Sequence, residues 1–191
     1  MKKHKNTLLW GILYLYVFVY LFIYLAFILL IAISHLTYSV ESISIVILPF
    51  VILLFIEWII WKVSLNKKNE KQKGDLKTIT VVGASLFLCC AMQLGINEYN
   101  SKFDRDVWIE KENKRVYIVD DLLEKHQLVG KSKQEILQLL GKPTETERFM
   151  KTNQIVYYLG DERGLIRIDS ERLIVNFDEK DRVIEYKIHK D

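Results

Sequence analysis

Three apolar stretches fill the first half of the chain, and they limit its fold more than any other feature. No charged residue occurs from Leu8 to Ile33 or from Thr78 to Ile96, and Ile43–Trp61 holds a single one, Glu57. A bilayer core about 30 Å thick is crossed by a helix of roughly 20 apolar residues, and all three stretches reach that length. Lys2, Lys3 and Lys5 make a basic start like that of a secretory leader. A leader's apolar region is only about 7–15 residues long, however, so the first stretch reads as a retained membrane helix. The expected organisation is a three-helix transmembrane region over 1–97, with helices near 8–33, 43–63 and 78–96. A charged, water-soluble α+β domain follows over 98–191.

Average composition hides this division. Up to Asn97 there are nine lysines against four acids, whereas the remainder carries 18 basic and 20 acidic residues. The isoelectric point of about 8.7 therefore comes from lysines beside apolar segments. A nucleic-acid partner requires a basic face on a folded domain, and no such concentration exists after Asn97. Lysine placement also predicts orientation, because cytoplasmic loops retain Lys and Arg. The amino terminus has Lys2, Lys3 and Lys5, the connection Ser34–Ser42 has none, and the next connection has Lys62, Lys67, Lys68, Lys71, Lys73 and Lys77. Three crossings then put the carboxyl-terminal domain outside the cytoplasm of a bacterial cell, with the bilayer as the first partner. Trp10, Trp58 and Trp61 fall at the inner ends of the first two helices, the level that indole rings favour.

Few polar groups lie inside the apolar stretches. Glu57 is the candidate functional residue there, since an intramembrane carboxylate marks coupling or proton transfer by default. Its position one turn from Lys62 and beside Trp58 also suits an interfacial residue that reaches headgroup water. Tyr16, Tyr20 and Tyr24 recur at i, i+4, i+8 and line one helix face, either as a helix contact or as a ligand groove. Cys89 and Cys90 are adjacent within the third stretch and read as small apolar filler. Leu88 before Cys89 does not make a lipobox.

In the soluble part, Arg115–Lys125 carries Val116, Val119, Leu122 and Leu123 at helical spacing, with Asp120 and Asp121 expected on the wetter side. Asn97–Val107 reads as a polar junction. Ser132 followed by Glu135 is a capping box, Gly130 opens the segment, and Gly141 and Pro143 close the helix. The period then changes to that of strands. Gln154–Leu159, Ile166–Ile168, Leu173–Phe177 and Val183–Ile188 are strand candidates, with 160–164 and 178–181 as turns. Leu173, Val175 and Phe177 share a face, while Ile184, Tyr186 and Ile188 alternate with Val183 offset. The expected fold is two short helices packed on an antiparallel sheet of three to four strands.

These residues resemble a known family. Leu128-Val129-Gly130-Lys131-Ser132 leading into Glu135-Ile136-Leu137-Gln138-Leu139-Leu140-Gly141-Lys142-Pro143 is similar to the small outer-membrane lipoprotein domain BamE, also called SmpA/OmlA, of β-lactamase-inhibitor-protein-like fold. Tyr157-Tyr158-Leu159-Gly160, Leu173-Ile174-Val175-Asn176-Phe177-Asp178 and Arg182-Val183 continue the likeness, which extends over roughly 115–188. The resemblance implies a helix–helix–sheet fold and a role in protein–protein contact or envelope scaffolding, without catalysis.

No chemistry-bearing constellation stands out beside it. His4, His35, His126 and His189 lack ligand-type spacing, and the domain has no cysteine. Nucleophile-elbow, zinc-protease and phosphate-loop patterns are absent. The pairs Asp104/Asp106 and Asp120/Asp121 read as solvated surface, with a weak divalent-cation contact as the other reading. The expectation is a non-enzymatic protein without catalytic residues, cofactor or metal, which presents a protein-binding domain to an envelope partner. The alternative is a membrane sensor or an accessory subunit of a transporter, with Glu57 and the tyrosine stripe as working parts.

Overall fold

The computed structural model describes residues 2–64, 70–144, 153–164 and 167–190. The chain divides into two compact units, Met1–Asn97 and Glu98–Asp191.

The first unit is built from α1 (Lys2–Ser34), α2 (Val40–Ser64) and α3 (Glu70–Asn100). Each is long and apolar enough to cross a membrane. All three extend beyond the apolar stretches that predict them. Lys71, Lys73 and Lys77 therefore lie on α3 rather than in a loop, and Lys67 and Lys68 fall outside the described residues. Burial follows a narrow seam at heptad spacing. Leu13, Tyr20, Tyr24 and Ile31 are buried on α1, Val46, Leu53 and Ile60 on α2, and Leu76, Gly83 and Cys90 on α3. Away from the seam the helices stay apolar, with Leu15, Phe22, Phe55 and Leu88 more than half exposed. At the far end, the Asn97 side chain donates to the carbonyls of Ile31 and Leu36. It thereby engages one carbonyl in the last turn of α1, where intrahelical donors run out, and one in the connection that follows.

The second unit has three short helices and one sheet: α4 (Arg105–Glu110), α5 (Arg115–Lys125), α6 (Lys133–Leu140), β1 (Gln154–Asp161), β2 (Ser170–Phe177) and β3 (Val183–Lys190). The strands pair antiparallel in the order β1-β2-β3. One sheet face carries Ile155, Tyr157, Leu159, Leu173, Val175 and Phe177. It packs with Val116, Val119 and Leu122 of α5 and with Ile136 and Leu140 of α6 in a single core.

Several expectations give way here. The polar junction 97–107 holds the end of α3 and the start of α4. Asp104 caps α4 by accepting from the Val107 N–H at 2.9 Å, and Trp108 is fully buried. Strand β1 continues through Gly160 to Asp161, because a bulge between Tyr158 and Gly160 absorbs the change of register. Gly160 adopts φ +130°, where its Cα side lies against the Asn113 backbone; a Cβ would meet the Asn113 carbonyl at 3.2 Å. A second bulge, at Ile184, breaks the alternation expected on β3, while Tyr186 and Ile188 still pack against the core. Phe177 pairs with Val183 but Asn176 pairs with Glu185, so Val183 joins the core and Ile184 is 56% exposed. Bulges insert one unpaired residue, which alternation alone cannot locate. Ile166 lies outside the described residues, and Ile168 is exposed coil.

Candidate functional site

The motif residues Gly130, Ser132, Glu135, Gly141 and Pro143 assemble a scaffold rather than a reaction centre. Gly130 takes φ +87°, and its N–H donates to the Val183 carbonyl at 2.8 Å. Ser132 Oγ accepts from the Glu135 N–H while Glu135 Oε2 accepts from the Ser132 N–H at 2.8 Å, forming the reciprocal cap of α6. The Ser132 amide, then its hydroxyl, hold the Glu135 carboxyl below the usual carboxylate range. Gly141 ends the helix at φ +74°, and its carbonyl accepts from the Tyr157 hydroxyl at 2.9 Å. Pro143 follows outside any helix.

Three charged groups hold this scaffold together, of which the sequence singled out only Asp121, and that as solvated surface. Arg115 is 3% exposed. Its Nε donates to the Trp108 carbonyl at 2.7 Å, and its Nη1 donates to the Thr144 hydroxyl and the Tyr158 carbonyl. The guanidinium also lies 5.3 Å from the Trp108 ring. One side chain thus ties α4, α5, the segment after α6 and β1, and no pattern in the sequence announces it. Asp121 is buried rather than on the wet face of α5, because the chain folds back so that the Phe103 N–H donates to it at 2.7 Å, beside Lys125 at 2.8 Å. Burial alone would raise its pKa; the Lys125 and Phe103 hydrogen bonds outweigh that and hold the carboxyl below its ordinary value.

Glu171 is fully buried. It accepts from the Arg163 backbone N–H and Nε on one oxygen and from Nη2 on the other at 3.0 Å. Arg163 also reaches Asp120 on α5. The signal for Glu171 was present, since it stands two residues before Leu173 on the alternating core face. A bidentate fork of this kind satisfies a buried carboxylate and pins the loop after β1 to the sheet. Asp104 and Asp106 do not join Asp120 and Asp121, and among the described residues no group of three or more metal-ligating side chains converges.

In the first unit, the tyrosine stripe and Glu57 face inward. The hydroxyls of Tyr16, Tyr20 and Tyr24 donate to the carbonyls of Pro49, Gly83 and Val46 at 2.7, 2.8 and 2.7 Å. Pro49 interrupts α2, and a proline in a helix leaves carbonyls of the preceding turn without their donors. The stripe is therefore a set of bonds between helices, with two of its three acceptors on α2, at the proline and in the turn before it. Gly83 lets α3 approach closely; a Cβ there would meet Leu53 Cδ2 at 2.5 Å. Glu57 turns toward α3. It is 7% exposed, lies on the α2 seam, and accepts from the Thr80 hydroxyl of α3 at 2.8 Å, while its Oε1 has no donor among the described residues. Lys62 instead sits over the Trp58 ring at 5.0 Å.

The outward sheet face carries Asn176, Glu185, Lys187 and His189. It adjoins the segment from Asp161 to Arg172, which spans the end of β1, a loop and the start of β2, and of which 165–166 fall outside the described residues. Comparison with curated proteins and comparison with solved structures each find no match. Residues 117–187, which run from the first turn of α5 to the middle of β3, match the family model of the outer membrane protein assembly factor BamE domain.

Proposed function

We propose that this protein is a multi-pass membrane protein whose three helices hold a BamE-like protein-binding or scaffold domain on the outer side of a bacterial cell membrane. The observation that carries the reading is the fusion of a BamE-matching unit to three apolar helices, with basic residues concentrated before the first and between the second and third. The role named for that family, assembly of outer membrane proteins, supports contact with other envelope proteins as the activity of residues 98–191. The buried carboxylates of this unit are engaged by Arg163, Lys125 and backbone amides, an arrangement that suits a rigid binding surface better than acid–base chemistry. Orientation is tested with a reporter fused after Asp191; activity confined to the cytosol overturns the topology. Binding is tested by cross-linking on intact cells through the segment Asp161–Arg172 and the outward sheet face. A specific envelope protein whose recovery falls on charge reversal of Arg172 supports the reading, and equal recovery with and without the reversal counts against it.

A second reading is favoured by one observation, the burial of Glu57 against Thr80. In that reading the helices form a sensor or transporter accessory, and Glu57 is its working group. A phenotype caused by Glu57→Gln that persists when residues 98–191 are deleted selects this reading over the first.

A further inference from the structure

Strand β3 has two unlike edges. Along one it pairs with β2 from end to end, apart from the bulge residue Ile184. Along the other only the first residue is covered: the Gly130 N–H donates to the Val183 carbonyl at 2.8 Å and the Val183 N–H to the Lys131 carbonyl at 2.9 Å. From Ile184 onward no described segment pairs with that side. The opposite sheet edge is guarded instead, because the Thr144 N–H donates to the Val156 carbonyl and its hydroxyl accepts from the Tyr158 N–H. An open strand edge is a template for one more strand, and the side chains of β3 determine which strand fits.

A second copy would meet this edge through a twofold axis normal to the sheet, so that β3 runs antiparallel to β3. Directly opposed residues then share a face, which restricts the central registers to those where one residue faces itself. Centring on Glu185 opposes two glutamates, and centring on Lys187 opposes two lysines; like charges directly opposite are destabilising. Centring on Tyr186 sets Glu185 of each copy against Lys187 of the other. Ile184 is the unpaired bulge residue, so the register rests on Tyr186 and the two Glu185–Lys187 pairs. The paired window, Glu185–Lys187, lies beyond the residue that Gly130 and Lys131 cover. Glu185 uses Oε1 to accept from Asn176 at 2.6 Å, and its second oxygen remains able to accept from a lysine. A lone edge lysine ordinarily guards a strand against pairing; two residues after a glutamate it becomes half of a self-complementary code.

We propose that two copies of this chain associate through their β3 strands, antiparallel and centred on Tyr186, to make one continuous six-stranded sheet. The proposal needs neither an envelope partner nor a particular side of the membrane. Anchoring in a bilayer would favour it by raising the local concentration of copies.

The test uses the full-length chain in native membranes under mild oxidation, with the chain lacking any added cysteine as background. Tyr186→Cys is expected to give a disulfide-linked dimer, and Glu179→Cys in the β2–β3 hairpin is expected to give none above background. Adding Lys187→Glu to Tyr186→Cys is expected to lower the linked dimer about tenfold, since both cross-strand pairs become like-charged; adding Glu185→Lys as well restores it. Because Tyr186 also packs on the core, chains bearing Glu185→Cys and Lys187→Cys are co-expressed as an independent pair, expected to link to each other. Linking at 186 no greater than at 179, insensitivity to charge reversal, or failure of the 185–187 pair overturns the proposal. So does a linked adduct with another protein in place of the dimer.

Discussion

In the helical unit nearly every side chain is apolar, and the tyrosine stripe and Glu57 mark the inside. In the carboxyl-terminal unit apolar side chains mark the inside, and a few charged groups lock it. The contrast follows from the solvent each composition suits. Among lipid chains leucine gains little by turning inward, so small residues and hydrogen bonds distinguish the helix interface. Gly83, the three tyrosines and the Glu57–Thr80 pair occupy that interface here. In water, burial of apolar surface organises the core. Charges enter it only when satisfied, as Arg115, Asp121 and Glu171 are.

The largest expected break in this contrast is Arg115→Ala. It strips donors from the Trp108 and Tyr158 carbonyls and from Thr144 at once, and should cost about 4 kcal/mol, the range for breaking a buried charged network. Hydrogen exchange at the β1 and β2 amides measures it, while the helical unit should be unaffected. Gly160→Ala comes next, at about 3 kcal/mol, because it combines φ +130° with a contact to the Asn113 carbonyl in a region that side chains rarely adopt.

Acid provides the third probe. Asp121 has its pKa lowered in the folded unit, so its contribution is fully present above the unfolded value near ~3.9. That contribution is lost as pH falls through the lower folded value. The loss should be roughly 2 kcal/mol, the scale of a charged hydrogen bond, and Asp121→Asn should flatten the acid limb of a denaturation-against-pH curve. Ser132→Ala removes the Oγ acceptor of the capping box and is expected to cost ~1 kcal/mol, read as faster exchange in the first turn of α6. The smallest effect belongs to the helical unit. Tyr20→Phe deletes one bond between helices and should cost about 0.6 kcal/mol, measured by unfolding in mixed micelles. A loss at Tyr20 as large as that at Arg115 would erase the distinction between the two units.

Legibility differed between the units in the same sense. The capping box at Ser132 and Glu135 and the β2 alternation are local patterns, and they could be read because each depends on residues a few positions apart. The helix α4 was missed because its six residues are fixed by Asp104 and by burial of Trp108, whose indole donates to the distant Leu140 carbonyl. The break in alternation at Ile184 arises from a bulge chosen by the pairing of Val183 with both Phe177 and Lys131. Glu171 could have been read from its position on the core face. Arg115 could not, since its partners are scattered from Trp108 to Tyr158.

Residue order alone determined the three apolar helices, the change to a charged α+β unit, the capped helix α6 and the likeness to the BamE domain, because periodicity, capping and length are short-range properties of a chain. Only the tertiary structure decided which face of each uniformly apolar helix turns inward, where Glu57 points, which charges are buried and which sheet edge stays open. Those outcomes depend on groups far apart in sequence meeting in one place.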